Sequence, residues 1–193
     1  EAARYCNWLS DREGLEPFYV EQAGRLVAAE PLTAGYRLPT EAEWAWVARY
    51  EGGGTARKYA WGDALPVAPG SGNYADTAAQ AILPATISGY SDTYPVTAPV
   101  DSFAPNGLGI HNLGGNVAEW VHDYYSIYSS ASNTIDMDPI GPAEGEYHVI
   151  RGSSWMDSTI TELRLSYRDY ASEPRSDVGF RVARYADSGE DPQ

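Results

Sequence analysis

From Gly52 to Asp101 the chain carries no helical period, yet it is too aromatic to be a solvated linker. "EGGGTARKYAWGD", "PVAPGSGNYAD" and "SGYSDTYPVTAPVDSF" place Tyr59, Trp61, Tyr74, Tyr90, Tyr94 and Phe103 within or just beyond this stretch. Long connections without their own secondary structure are either functional or disordered, and the aromatics predict ordered, packed loops. Something must hold such loops, and bound cations are one option. The 19 Gly and 13 Pro are scattered through the chain, which predicts a loop-rich fold and argues against a helical bundle. The 193 residues suit a single domain with a real core.

Regular elements are expected on either side. "EAARYCNWLSDREGL" puts Ala2, Cys6 and Leu9 at helical spacing with Gly14 as the stop. Cys6, the sole cysteine, then reads as a small buried hydrophobe, since nothing around it favours a thiolate. In "RLPTEAEWAWVARY", Thr40 as N-cap and Glu43 form a capping box, and Trp44, Val47 and Ala48 share one helical face. "NGLGIHNLGGNVAEWVHDYYS" predicts a glycine turn followed by a helix through Val117, Val121 and Tyr124. "EYHVIRGSSW" and "DVGFRVARY" read as strands, with Val149 and Arg151, then Val178, Phe180 and Val182, on alternating faces. "DMDP" (Asp136 to Pro139) reads as an acidic turn. The domain is expected over residues 1–185, with 186–193 as an acidic tail or linker.

Charge narrows the partners. A formal net charge of -14 disfavours nucleic acid, whose binders need a basic stripe, and adsorption to anionic membranes. No apolar run of transmembrane length occurs. No signal peptide is visible, and the opening helical segment suggests that the natural N-terminus lies upstream. One cysteine rules out an internal disulfide.

Four phrases in order, "YRLPTEAEWAWVAR", "YAWGD", "NGLGIHNLGGNVAEWVHDYY" and "VIRGSSW…LRLSYRD…DVGFRVAR", resemble the formylglycine-generating-enzyme-like (sulfatase-modifying factor) family. The resemblance covers about Tyr5 to Arg184. It implies an α+β, irregular, loop-rich, C-type-lectin-like fold with short helices and a small mixed or antiparallel sheet. It also implies that the family's first strands lie outside these residues, supplied upstream or by a partner strand. The family includes copper-dependent oxidases, substrate domains of non-haem iron sulfoxide synthases, a periplasmic pyoverdine-maturation protein, gliding-motility lipoproteins and retroelement-diversified receptors. Fold alone therefore does not decide function.

In the oxidases two cysteines between the "RGGSW" and "GFR" strands bind copper(I). Here their neighbourhoods hold Met156, Asp157 and Ser158, then Thr161, Glu162 and Leu163. A soft thiolate pair suits Cu(I), and hydroxyls or carboxylates do not replace it. No copper is expected. His111, His122 and His148 read as isolated, satisfied histidines.

The resemblance further implies two structural calcium sites. One would use Asn73, Asp92 and the carbonyls of Tyr74 and Tyr94. The other would use Asn112, Glu119 and the carbonyls of Gly115 and Val117. Oxygen donors on flexible turns suit Ca²⁺. A metal-free reading stays open for both: Asn116 and Glu119 as N-cap and N3 of a helix, and Asp92 in an Asx turn.

The expectation is a non-catalytic binding or scaffold module, a pseudoenzyme, recognising a protein or other ligand through Trp155, Met156, Asp157, Ser158, Thr159 and Thr161. Trp155 itself reads rather as core, with the polar run after it as the surface, and Met156, Asp157 and Thr159 as residues whose loss spares stability. A metalloenzyme of the superfamily whose reactive centre lies in another domain, and a variable receptor, are the alternatives. Arg151, Arg164, Arg168 and Arg181 are expected to pair with carboxylates, substrate contact remaining open for them. The resemblance favours an extracytoplasmic location.

Overall fold

The computed structural model of the chain describes residues 1–50, 54–127 and 137–186. They form two compact units, one from Glu1–Pro39 and the described residues from Phe180 onward, the other from the described residues of Thr40–Gly179. Of the acidic turn only Met137–Pro139, and of the tail only Ala186, lie within the described residues.

In the first unit, helix α1 (Ala2–Arg12) buries Cys6 and Ser10. The Ser10 hydroxyl donates to the Cys6 carbonyl at 2.9 Å and accepts from the Tyr36 amide at 2.8 Å. Burial pushes the Cys6 thiol up to about 11, as expected of a packed rather than a reactive cysteine. Strands β1 (Tyr19–Gln22) and β2 (Arg25–Ala28) form an antiparallel hairpin. Its two turn residues, Ala23 and Gly24, both have positive φ, the geometry of a two-residue hairpin turn. Alanine at such a position is a weak signal, and the sequence reading missed this hairpin. Arg37 is buried with its guanidinium 4.3 Å from the centre of the Tyr185 ring.

In the second unit, helix α2 (Glu41–Tyr50) begins at the expected capping box. The Thr40 amide donates to Glu43 Oε2 at 2.8 Å, and the Glu43 amide donates to Thr40 Oγ1 at 3.1 Å. Trp44 and Ala48 of its inner face join Leu113, Val121, Val149 and Leu165 in one apolar cluster. A second cluster, Tyr59, Val67, Tyr74, Tyr90 and Leu163, lies under the long loops. Tyr59 and Trp61 stack at 4.7 Å, and the Tyr90 hydroxyl donates to the Gly72 carbonyl at 2.5 Å. The irregular stretch is thus a packed aromatic layer, with one 3₁₀ turn at Thr77–Ala79.

Strands β3 (Ala118–Tyr124), β4 (His148–Arg151), β5 (Arg168–Ala171) and β6 (Val178–Phe180) make a sheet ordered β5-β4-β3-β6. The β3/β4 and β4/β5 pairs are antiparallel. β3 corrects the expected helix. Its inward residues are Glu119, Val121 and Asp123, alternating with the half-buried Trp120, His122 and Tyr124. Two inward carboxylates hide a period of two, while Val117, Val121 and Tyr124 imitate a helical stripe. β4 buries Val149, Ile150 and Arg151 in succession, so its two faces are both covered. β6 ends at Phe180, which is exposed, as is Val182; no buried alternating face continues to Val182.

Candidate functional site

The turn from Asn112 to Val117 leads into β3. Asn112, Gly115 and Asn116 have φ of 55°, 87° and 67°, a left-handed conformation that Gly and Asn tolerate best. A Cβ on Gly115 would lie 2.7 Å from the Asn73 carbonyl oxygen, so a glycine is required where the two loops meet.

Backbone bonds knit three segments together here. The Asn116 amide donates to the Asn73 carbonyl at 2.8 Å, the Gly115 amide to Ser153 at 3.0 Å, the Trp155 amide to Asn116 at 2.9 Å and the Ala75 amide to Asp157 at 3.1 Å. The Asn116 side chain accepts from the Ala98 amide at 2.8 Å and donates back to its carbonyl at 3.2 Å. Asn116 is therefore a loop tie and not a helix cap. The two loops proposed for calcium both bond to the segment proposed for recognition.

Each of those loops contains an oxygen without a donor. Asn73 is fully buried, its Nδ2 donates to the Val96 carbonyl at 2.7 Å, and its Oδ1 has no hydrogen-bond partner. Asn112 repeats the pattern: Nδ2 donates to the Val100 carbonyl at 2.8 Å while Oδ1 is buried and unsatisfied. A buried polar atom left in this state costs about 1–3 kcal/mol, and each amide's orientation is fixed by its own donor bond.

The carboxylates near Asn73 already accept backbone amides. Asp92 takes the Tyr94 amide on Oδ1 and the Tyr74 amide on Oδ2, both at 2.9 Å, so the expected Asx turn is present. Asp76, fully buried and overlooked in the sequence, accepts from Ala78, Ala79 and Asp92. Its signal was an Asp immediately before Thr77. Burial holds the Asp92 carboxyl above its ordinary value, the neighbouring Asp76 charge adding to this against the two amide bonds. In the second loop, Glu119 Oε2 accepts from Trp44 Nε1 at 2.7 Å inside the sheet, which overturns the capping role. Among the described residues no three His, Cys, Asp or Glu side chains converge as metal ligands. A cation here would draw on carboxamide and carbonyl oxygens.

The segment after β4 is a pair of self-bonded turns. Asp157 Oδ2 accepts from the Ser154 amide at 2.6 Å and from its hydroxyl at 3.1 Å. Glu162 Oε2 accepts from the Thr159 amide and hydroxyl, and the Glu162 amide returns a bond to Thr159 Oγ1. Both carboxylates are turned onto their own backbone. Burial raises the Asp157 carboxyl above its ordinary value, Ser154 opposing and the Glu162 and Asp177 charges reinforcing this. Asp177, despite burial, is held below its ordinary value by Arg175, whose Nη2 donates to it at 2.7 Å.

Trp155 is 8 % exposed and belongs to the interior, with Nε1 unpartnered. Met156 is 39 % and Ile160 53 % exposed, Thr159 and Thr161 are also exposed, and Ser158 is half-buried. His111 Nδ1 bonds the Phe103 carbonyl at 2.8 Å, and the His148 ring stacks on Tyr124 at 4.2 Å. Arg151 and Arg168 pair with Glu41, as expected of framework arginines.

These features coincide with the relationships of the chain. Residues 1–186 match the sulfatase-modifying factor enzyme 1-like domain, and the chain belongs to that family. The formylglycine-generating enzyme of Streptomyces coelicolor is 42% identical over 159 residues, covering 80% of this chain and 48% of that protein. The bovine formylglycine-generating enzyme is 40% identical over 154 residues, 78% of this chain and 39% of its own length. The chain thus spans about half or less of these curated relatives. Among solved structures, Treponema denticola variable protein 1 superimposes with a TM-score of 0.71 at 29% identity, over 95% of this chain and 67% of that one.

Proposed function

We propose that this chain is a non-catalytic recognition module of the family, presenting Met156, Thr159, Ile160 and Thr161 to a protein or other ligand. The observation supporting this reading is the pair of backbone-bonded turns at Ser154–Asp157 and Thr159–Glu162, in the stretch where the family resemblance implies the oxidases' cysteines. Copper does not fit there: Cys6 is the sole cysteine, buried in α1, and Cu(I) needs paired soft ligands. No step of an oxidase reaction is therefore assigned to these residues.

Calcium fits the two loops beneath. Asn73 and Asp92 with the Tyr74 and Tyr94 carbonyls would hold one ion, and Asn112 and Glu119 with the Gly115 and Val117 carbonyls the other. The support is the pair of donorless oxygens, Asn73 Oδ1 and Asn112 Oδ1, both of the hard-oxygen class that Ca²⁺ takes. Such ions would fix loops rather than perform chemistry. A recognition strip resting on pinned loops keeps its shape on binding, which lowers the ordering cost.

The likeness to a protein called variable favours a second reading, a receptor diversified at this strip. Copies of the gene whose differences cluster at 156, 159, 160 and 161 would support it. Among the described residues no helix is long and apolar enough to cross a membrane.

The catalytic question has a direct test. The chain is incubated with Cu(I) and a cysteine-bearing sulfatase peptide under oxygen, and aldehyde formation is followed by mass spectrometry. The peptide is expected to remain a thiol; aldehyde above a copper-only control would overturn the non-catalytic reading.

A further inference from the structure

Along the outer face of α2 lies a cavity of about 380 Å³, lined by Glu41, Ala42, Ala45, Arg49, Pro139, Arg151, Ser166 and Arg168. It falls within the range of small-molecule pockets. Ala42 and Ala45 leave the room, since their side chains are short. Among the described residues, three arginines and one glutamate give the lining a formal charge of +2, in a chain whose net charge is -14.

The three arginines are not equivalent. Arg168 forks onto Glu41 at 2.5 and 2.8 Å, and Arg151 donates to the carbonyls of Leu165, Ser166 and Tyr167 while lying 3.6 Å from the same glutamate. Asp123, whose Oδ2 accepts from the Glu41 amide, completes that network. Arg49 takes no part in it. Among the described residues its side chain makes no hydrogen bond or ion pair; its Nε is buried, as the Arg151 Nε also is, and its guanidinium lies 5.8 Å from the centre of the Tyr50 ring. A buried guanidinium N–H without an acceptor, on a half-buried side chain, calls for an explanation, the more so where carboxylates outnumber basic residues 27 to 13.

We propose that this cavity binds a small oxyanion, a phosphate, sulfate or carboxylate group, seated on Arg49. The planar guanidinium fork matches two oxygens of such a group. Arg151 and Arg168 supply a positive rim but keep their own partners. The Ser166 side chain at the wall offers a hydroxyl donor. The site is independent of the loops at 73–119 and of the recognition strip, so its failure would leave the proposed function intact.

Thermal melting in phosphate, sulfate or succinate, each against chloride at matched ionic strength, tests the proposal. At about tenfold over its dissociation constant the preferred anion should raise Tm by roughly 3–5 °C, saturably. The three arms identify the headgroup. R49M should lose the rise yet melt no lower than the parent in chloride, because the Arg49 side chain makes no hydrogen bond or ion pair among the described residues that the change would break. A45L should also lose it, by filling the floor while leaving every charge in place. The proposal is overturned if none of the three anions acts beyond chloride, or if both variants keep the full response.

Discussion

At the scale of single residues, Asp157 shows how a side chain can resemble a binding group and be occupied elsewhere. A carboxylate at the centre of a polar, hydroxyl-rich segment suggests a surface that contacts a partner. In the folded chain that carboxylate accepts the Ser154 amide and hydroxyl, so alanine there would open the turn. D157A is expected to lower stability by about 1–2 kcal/mol, whereas D157N keeps an acceptor and relieves crowding with Glu162 and Asp177, so it should be near neutral. M156A, at an exposed side chain, should leave the melting curve unchanged within about 0.5 kcal/mol. Denaturant unfolding of the three variants decides it: equal losses for Asp157→Ala and Met156→Ala would contradict the turn-locking role. The earlier expectation that Asp157 is dispensable for stability is thereby replaced.

At the scale of elements, β3 carries its charge inward. Asp123 sits where β3 faces the start of α2, and the backbone of Gly141 passes so close that a Cβ there would lie 2.7 Å from Asp123 Oδ1. Burial pushes this carboxyl from 3.8 up to about 6, the Glu41 charge adding to the effect while the Glu41 amide and Arg168 oppose it. A raised folded-state value means that the folded chain holds the extra proton between about pH 4 and pH 6. This group's contribution is greatest below pH 4 and declines as the pH rises through 6. D123N, which retains an acceptor for the Glu41 amide, should remove that decline and gain on the order of 1 kcal/mol over the parent at pH 7.5. Urea midpoints measured from pH 4 to 8 check this, and parallel curves for parent and variant would count against it.

At the scale of the whole molecule, the long loops are held by an aromatic layer and by side chains that bond backbone, with the carboxamide oxygens of Asn73 and Asn112 left unsatisfied beside the Tyr74 hydroxyl. If calcium completes them, the loops and the 153–157 segment bonded to them should respond together. Calcium at about a hundredfold over its dissociation constant is expected to stabilise the fold by about 2.7 kcal/mol per site. Chelation should lower Tm and speed amide exchange at Ala75, Gly115, Asn116 and Trp155. N73A and N112A should each remove one share of the calcium response, beyond any loss they cause in chelator. A melting temperature indifferent to calcium and chelator would remove both ions from the proposal.

Much of this protein was legible before folding wherever the signal is local. The capping box at Thr40 and Glu43, the stop after α1, the packed aromatic loops and the lack of a thiol pair depend on near neighbours or on residue type alone. The strand at Ala118–Tyr124 was not legible, because its inward face includes Glu119 and Asp123, whose partners Trp44 and Glu41 are distant in sequence. Nor did the sequence distinguish Arg49, without an acceptor, from Arg151 and Arg168, which have them, or reveal that Asn73 and Asn112 keep oxygens with no donor. Local propensity determined the caps and the turns, and residue type alone the lack of a second cysteine. Tertiary structure alone decided which charges are paired and which polar atoms are left over, because burial and hydrogen-bond geometry arise only when distant segments meet.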